Sequence, residues 1–216
     1  MLTVTGPTCD AVLLAAGAGR RLGTPKAFLE LHGRWTLPPL VAALLGGGAR
    51  RVAVVLPPGG RDAVVERGLA ETEGLVLVEN PAPERGRTGS LHLGLEALAA
   101  RDAVLVHPAD VPLLSARVVA RLLGAWAAAP DRDRLVARPV TPTRRGGHPL
   151  LVGAARLGEV RALASDAPLR AVLEPAEQRL DVVLRGEAGP FLDVDTPEQL
   201  ALLEGLLGGQ GSASQR

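Results

Sequence analysis

An uninterrupted apolar run at residues 11–16, which leads straight into a glycine-rich loop, limits the fold of this chain more than any other feature. A run that is apolar at every position, rather than at alternate ones, is typical of a strand buried on both faces of a parallel sheet. Largely apolar stretches recur at 51–56, 75–79, 103–106 and 135–140, and a further strand is predicted at 180–184. The chain is therefore expected to build its core around a parallel sheet.

The segments between these runs carry helix signals. Helices are predicted at 37–45, 61–69, around the stripe of Leu91, Leu95 and Leu98, after a capping Ser115, and near 154–163 and 168–173. Strands that alternate with helices predict an α/β fold, here a single-domain, Rossmann-like three-layer sandwich with a mostly parallel sheet. Such a sheet binds ligands at the carboxyl ends of its strands, so we expect the loops 17–26, 80–90 and 107–113 to meet at one edge.

The end of the chain gives a sharp helix signal. Thr196 and Gln199 form a capping box around Pro197, which starts a last helix that Gly208 is predicted to end. The length of 216 residues is ordinary for one α/β domain, placed at 1–207, and residues 208–216 are predicted to form a disordered tail.

Composition excludes several classes of partner. With 24 Lys and Arg against 23 Asp and Glu, the net charge of +1 gives no basic field for nucleic acid, and 2% aromatic residues disfavour base stacking. The only cysteine, Cys9, cannot form an internal disulfide. The N-terminal residues resemble neither a signal peptide nor a membrane span. We therefore expect a cytoplasmic protein that binds a charged small molecule and contacts neither nucleic acid nor membrane.

The loop after the first strand suits a polyphosphate. Gly17, Gly19 and Gly23 allow tight turns, and Arg21 and Lys26 add positive charge. The loop is neither a Walker A sequence nor a dinucleotide fingerprint, because the third glycine falls one place late for the latter. A plain glycine-rich turn with solvated arginines is the alternative that the loop alone leaves open.

A carboxylate is predicted at the same edge of the sheet. Asp110, in Ala-Asp-Val-Pro, follows a buried strand and lies too far before Ser115 to cap the next helix. A carboxylate that faces a cationic phosphate loop fits Mg²⁺, which binds one or two carboxylates together with substrate phosphate oxygens. Asp193 and Asp195 are candidates for a second ligand, and for Asp195 a hydrogen bond at the helix entry is the equal alternative.

These residues resemble the MobA-like nucleotidyltransferases, and most closely their molybdenum-cofactor cytidylyltransferase branch. The likeness extends from residue 11 to about 203 and rests on motifs that occur in the family's order. They are Leu14, Ala15, Ala16, Gly17, Arg21, Gly23 and Lys26; Asn80 and Pro81; Gly86, Ser90, Leu91, Gly94 and Leu95; Asp110 to Pro112; Gly147 to Pro149; and Asp193 to Glu198.

The resemblance implies the fold of the nucleotide-diphospho-sugar transferases and transfer of a nucleotidyl group from an NTP to a phosphorylated acceptor. It implies that Arg21 and Lys26 hold the β- and γ-phosphates, that residues 14–17 face the base, and that Asp110 and Asp193 hold Mg²⁺. The catalytic residues that it implies are Arg21, Lys26 and Asp110. Asn80, Gly86 and Ser90 complete the implied nucleotide site, although Ser90 has helix capping as an alternative.

The substrates are predicted less sharply. Ala15 and Ala16 give the LAAG form that, by resemblance, goes with CTP rather than GTP. His148 and Arg170 are the candidates for binding the acceptor, and a molybdopterin-type acceptor is favoured. Where that branch carries G-D-x-G-A-R, however, residues 165–170 read Ser-Asp-Ala-Pro-Leu-Arg. A sugar or alcohol phosphate as acceptor, and a nucleotide-binding regulator without turnover, are the competing hypotheses.

Overall fold

A seven-stranded sheet forms the centre of the molecule in the computed structural model, which describes residues 9–173 and 175–211. Its order is β5-β4-β1-β6-β8-β7-β9. The strands are β1 (Cys9–Leu14), β4 (Val52–Leu56), β5 (Leu75–Glu79), β6 (Ala103–Pro108), β7 (Val136–Val140), β8 (Leu150–Val152) and β9 (Arg179–Val183); β2 (Glu30–Leu31) and β3 (Arg34–Trp35) form a separate two-stranded ribbon. All pairings in the large sheet are parallel except those of β8, which runs antiparallel to both β6 and β7.

Helices cover both faces of this sheet. They are α1 (Leu37–Gly46), α2 (Gly60–Glu66), α3 (Arg87–Ala97), α4 (Ala116–Ala127), α5 (Leu157–Ala162) and α6 (Pro197–Gly211). One core contains side chains of α1, α2 and α4, and the other contains those of α3 and α5. The predicted three-layer α/β architecture is therefore confirmed. Within the described part of the chain, no helix is both long and apolar enough to span a bilayer.

The first strand is buried on both faces, as its sequence predicts. Ala11 and Leu13 lie in the core beneath α1 and α4, whereas Val12 and Leu14 lie in the core beneath α3. Parallel neighbours flank β1, with β4 on one side and β6 on the other. The strand order thus reverses beside β1, and this switch point is where open α/β sheets bind ligands.

Several details differ from the sequence-based expectation. The antiparallel strand β8 and the β2–β3 ribbon were not predicted, because two or three residues are too few to show a period. The helix expected at 168–173 is a 3₁₀ helix, Leu169–Leu173. Gly208 does not end the last helix, since α6 continues to Gly211, within the range expected to be a tail. The remainder of that predicted tail, residues 212–216, lies outside the described residues.

Candidate active site

The loop after β1 folds back on itself next to the switch point. The Lys26 amide donates to the Gly17 carbonyl at 2.9 Å and closes the loop. Gly19 has a φ of +57°, and a Cβ there would lie 1.8 Å from the Thr24 carbonyl oxygen, so only glycine fits this turn. Leu14, Ala15 and Ala16 are buried, whereas Gly17, Arg21 and Gly23 are exposed. The exposed side of the loop is therefore its glycine and cationic part.

Backbone hydrogen bonds bring the Asp110 turn to this loop. Pro108 ends β6 in register with Leu14, and the Ala109 amide donates to the Leu14 carbonyl at 3.0 Å. The Val194 amide donates to the Asp110 carbonyl at 2.7 Å, which attaches the Asp193–Asp195 segment to the same turn. Three distant parts of the sequence thus meet at the carboxyl edge of the sheet.

Lys26 lies at the centre of this junction. Its ammonium donates to the carboxylates of both Asp110 and Asp195. The hydrogen bond from Lys26 is the main reason why the pKa of Asp195 lies below its ordinary value. Arg21 is farther away, with its guanidinium 3.8 Å from the other oxygen of Asp195. The two predicted phosphate-binding cations therefore face two of the predicted metal-binding carboxylates.

The two acidic candidates after β9 point in different directions. Asp195 turns toward Lys26, whereas the half-exposed Asp193 lies 3.9 Å from the Arg145 guanidinium. Asp195 does not use its side chain to enter α6, because Thr196 and Gln199 form the predicted capping box, with bonds of 3.3 and 3.1 Å. Asp195 and Asp110 thus share one hydrogen-bond partner, Lys26.

The donor set fits a hard divalent cation. Asp110, Asp193 and Asp195 all line one cavity of about 250 Å³. Among the described residues, no three acidic, histidine or cysteine side chains converge closely enough to enclose an ion by themselves. Mg²⁺ does not need such a cage, because it commonly uses one or two carboxylates and takes its other ligands from water and phosphates.

The other nucleotide-binding candidates lie behind the loop. Asn80 and Ser90 are buried, and the Asn80 amide donates to the Ser90 hydroxyl at 2.9 Å. Ser90 does not cap α3, since that helix begins at Arg87 with Gly86 in the N-cap position. Gly86 has a φ of +118° and packs against Ser165. Gly86 therefore places the start of α3 against the loop that contains Ser165.

A second, larger cavity adjoins the acidic one. It has a volume of about 500 Å³, and both acceptor candidates, His148 and Arg170, line it together with Asp166. Its remaining wall is mainly apolar and includes Leu14, Val106 and Leu150. Burial lowers the pKa of His148, so its ring is neutral near pH 7. The cavity thus combines apolar side chains with charged ones, among them Arg170 and Asp166.

His107 and Arg87 are further residues near the site. His107 is fully buried at the end of β6; its pKa is lowered to about 3, and its Nε2–H donates to the Val111 carbonyl at 2.9 Å. Arg87, which was not predicted as a site residue, lies 2.8 Å from Asp110. No motif marks Arg87, and only its position at the start of a helix that follows a predicted binding loop could have indicated it.

Comparison with known proteins now decides the family. A sequence model of the MobA-like NTP transferase domain matches residues 11–182. The chain belongs to the MobA-like NTP transferase family. The match includes the loop after β1, the Asn80–Ser90 segment and the Asp110 turn, and ends before Asp193. By this membership the chain is a nucleotidyltransferase, as its sequence predicts.

Full-length relatives illustrate the range of this family. The chain is 30% identical to the molybdenum cofactor guanylyltransferase of Xanthomonas euvesicatoria, over 89% of this chain and 92% of that protein. It is 32% identical to the nicotine blue oxidoreductase of Paenarthrobacter nicotinovorans, over 90% and 95%. Among solved structures, Rv0371c from Mycobacterium tuberculosis superposes with a TM-score of 0.72 at 25% identity, over 94% and 100%. The likeness to these proteins therefore extends over about nine-tenths of the chain.

Proposed function

We propose that this MobA-like protein transfers a nucleoside monophosphate from an NTP, with CTP favoured, to a phosphorylated small-molecule acceptor in a Mg²⁺-dependent reaction. The observation that carries the proposal is the position of Lys26. Its ammonium joins Asp110 and Asp195 at the point where the loop after β1 meets the acidic cavity. Cationic and metal-binding groups thus share one small region, as the transfer of a nucleotidyl group requires.

The proposed reaction needs no side-chain nucleophile. A phosphate oxygen of the acceptor attacks the α-phosphorus, a new P–O bond forms, and the bond to the β-phosphate breaks to release pyrophosphate. Arg21 and Lys26 neutralise the β- and γ-phosphates, and the glycine turns of the loop let the backbone approach them. Asp110, with Asp195 or Asp193, holds Mg²⁺, which when bound supplies positive charge to the phosphates.

The cavity walls support an acceptor with an apolar part and an anionic part. Leu14, Val106 and Leu150 provide an apolar surface, and Arg170 and His148 provide polar groups on its rim. A molybdopterin-type acceptor, which has a flat ring system and a phosphate, fits this combination. A sugar phosphate would leave the apolar wall unused, so it is the second candidate.

The base specificity rests on Ala15 and Ala16. Both are buried at the end of the strand, so only their backbone can reach a base. We propose CTP because the LAAG form resembles the cytidylyltransferase branch. The relative named as a guanylyltransferase makes GTP the competing nucleotide.

Pyrophosphate release tests the proposal. The purified protein is incubated with Mg²⁺ and each of CTP, GTP, ATP and UTP, with molybdopterin and a panel of sugar and alcohol phosphates as acceptors. We expect release with CTP and molybdopterin, and its loss in Asp110→Asn. Thermal stabilisation by each NTP with Mg²⁺ reports binding separately, and equal shifts with all four would remove the case for CTP.

Two results would contradict the proposal. Pyrophosphate release that survives in Asp110→Asn would exclude Asp110 as the metal ligand. Binding of an NTP without turnover of any acceptor would favour the nucleotide-binding regulator. Redox turnover without NTP is measured alongside, because one relative is named as an oxidoreductase.

A further inference from the structure

Arg87 occupies the boundary between the two cavities of the site. The smaller, acidic cavity and the larger, mainly apolar one share only a few lining residues: Arg87, Gly146, Gly147 and His148. Arg87 is the formally charged member of this set, because burial keeps His148 neutral. Any anion that passes from one cavity to the other meets its guanidinium.

The backbone at Arg87 is anchored by its neighbours in α3, whereas its side chain is exposed apart from its ion pair with Asp110. Arg87 is the first residue of α3, and this end of the helix is attached to the loop that lines the larger cavity. The Thr88 hydroxyl donates to the Ala167 carbonyl at 2.7 Å, and the Gly89 amide donates to the Ser165 carbonyl at 3.0 Å. The Arg87 side chain is 60% exposed, so packing does not fix its direction.

Arg87 is paired with Asp110, the carboxylate that would bind the metal ion. Its guanidinium donates to Oδ2 of Asp110 at 2.8 Å, and Lys26 donates to the same oxygen. Asp110 would hold a divalent cation in place of Lys26 and Arg87, because like charges that share one oxygen repel each other. The Arg87 guanidinium would then be available to an anion at the acidic cavity, whose lining also includes Asp193 and Asp195.

We propose that Arg87 binds the phosphate of the acceptor and holds it against the α-phosphate of the NTP; this inference rests on the proposed function. Two phosphates must approach closely in that reaction, and a planar guanidinium can donate to both with its parallel N–H groups. Arg87 contacts the reacting groups and is a catalytic residue in this sense.

The other arginines of the larger cavity are less suited to this task. Arg138 is already paired with Asp181 at 2.8 Å and lies largely buried beneath Gly146. Arg170 is exposed and lines the larger cavity without reaching the acidic one. Arg170 therefore suits the distal part of the acceptor, and Arg87 its reacting end.

Binding of inorganic phosphate is the direct test, with the variants Arg87→Gln, Arg87→Lys and the control Arg85→Gln. Arg85 is exposed in the same segment and lines neither cavity. Calorimetry is run with the NTP site filled by Mg²⁺ and a non-cleavable α,β-methylene analogue of CTP. We expect Arg87→Gln to weaken phosphate binding by about tenfold or more, Arg87→Lys by less, and Arg85→Gln to leave it unchanged.

Steady-state kinetics give the second readout. With an acceptor that the wild type turns over, Arg87→Gln should raise the KM for the acceptor and lower kcat by about tenfold or more. The KM for the NTP should remain within about threefold of the wild-type value, because Arg21 and Lys26 hold the β- and γ-phosphates and Arg87 contacts only the α-phosphate. A merely structural role would change both KM values together.

The outcomes separate the two proposals. Turnover by the wild type with equal kinetics for Arg87→Gln and Arg85→Gln would overturn the role of Arg87 and leave the proposed function standing. Phosphate binding that disappears in Arg170→Gln but not in Arg87→Gln would also overturn it. Absence of turnover with every acceptor, together with phosphate binding that depends on Arg87, would support the anion site and contradict the proposed function.

Discussion

At the scale of single residues, the main feature of the site is that cationic side chains and carboxylates share hydrogen-bond partners. Lys26 donates to both Asp110 and Asp195, and Arg87 donates to the same oxygen of Asp110 as Lys26 does. An ammonium between two carboxylates occupies the position that the proposed reaction assigns to a divalent cation. It follows that ion and nucleotide should enter together, since the triphosphate attracts Lys26 away from the acids.

Replacing Lys26 with Met tests this exchange. Without nucleotide, we expect Lys26→Met to bind Mg²⁺ at least about tenfold more tightly than the wild type, because two carboxylates lose their counter-charge. Turnover should fall by about 100-fold or more, since the phosphates lose a cation. Calorimetric titration with Mg²⁺ measures the first effect and pyrophosphate release the second.

Arg20→Gln is the matched control for Lys26→Met. Arg20 is exposed in the same loop and should leave both quantities near their wild-type values. Unchanged Mg²⁺ affinity in Lys26→Met would show that these carboxylates are not the ligands of the ion.

At the scale of elements, close packing of α3 on the sheet positions the start of that helix. Gly94 faces the sheet, and a Cβ there would lie 2.5 Å from Cγ1 of Val12 and 3.2 Å from Cγ2 of Val55. Any side chain at this position would push the helix away from β1 and β4. The position of Arg87 beside Asp110 therefore depends on a glycine in the middle of the same helix.

Gly94→Ala is expected to lower the free energy of unfolding by about 1–3 kcal/mol, because the overpacking cost exceeds the gain of up to about 1 kcal/mol in helix propensity. Chemical denaturation measures the change. Gly124→Ala in α4 is the control, because a Cβ at Gly124 meets no atom within 4 Å. It should leave stability unchanged or slightly raise it, and equal effects of the two variants would contradict the packing argument.

The secondary-structure elements also show which parts of the fold could be predicted from the sequence. The strands β1, β4 and β6 were predictable because each contains a run of consecutive apolar residues, which predicts burial on both faces; β5 was predicted from a similar run but is only partly buried. The strand β8 was not, since its three residues, Leu150–Val152, carry no period and its antiparallel direction depends on the loop before it. Arg87 could not be predicted as a site residue because its contact with Asp110 arises only when α3 packs on the sheet.

At the scale of the whole molecule, the end of the sheet opposite the site is held by buried charge. Asp10 in β1 is 1% exposed and accepts hydrogen bonds from Arg50 at 3.0 Å and Arg51 at 2.9 Å. Arg51 also donates to the Leu98 carbonyl at 2.6 Å, just beyond the end of α3. Burial alone would raise the pKa of Asp10, but the two arginines outweigh it and lower the pKa below its ordinary value of 3.8.

Because the folded protein lowers this pKa, Asp10 stabilises the fold above the pKa of the unfolded chain, and the stabilisation is lost as pH falls through the lower folded value. Asp10→Asn should therefore cost about 2–4 kcal/mol at pH 7. The difference between variant and wild type should shrink in acid below about pH 4. Denaturation midpoints across pH measure both effects, and a difference that stays constant into acid would contradict the assignment.

The direction of β8 has a consequence for how this fold can diversify. Because β8 runs antiparallel to β7, the chain from 141 to 149 both leaves and re-enters the sheet at the edge that carries the site. Residues 142–145 of this segment are exposed, so their composition can change while the strands on either side keep their pairing. We expect exchange of these exposed residues to alter the choice of acceptor without refolding the core.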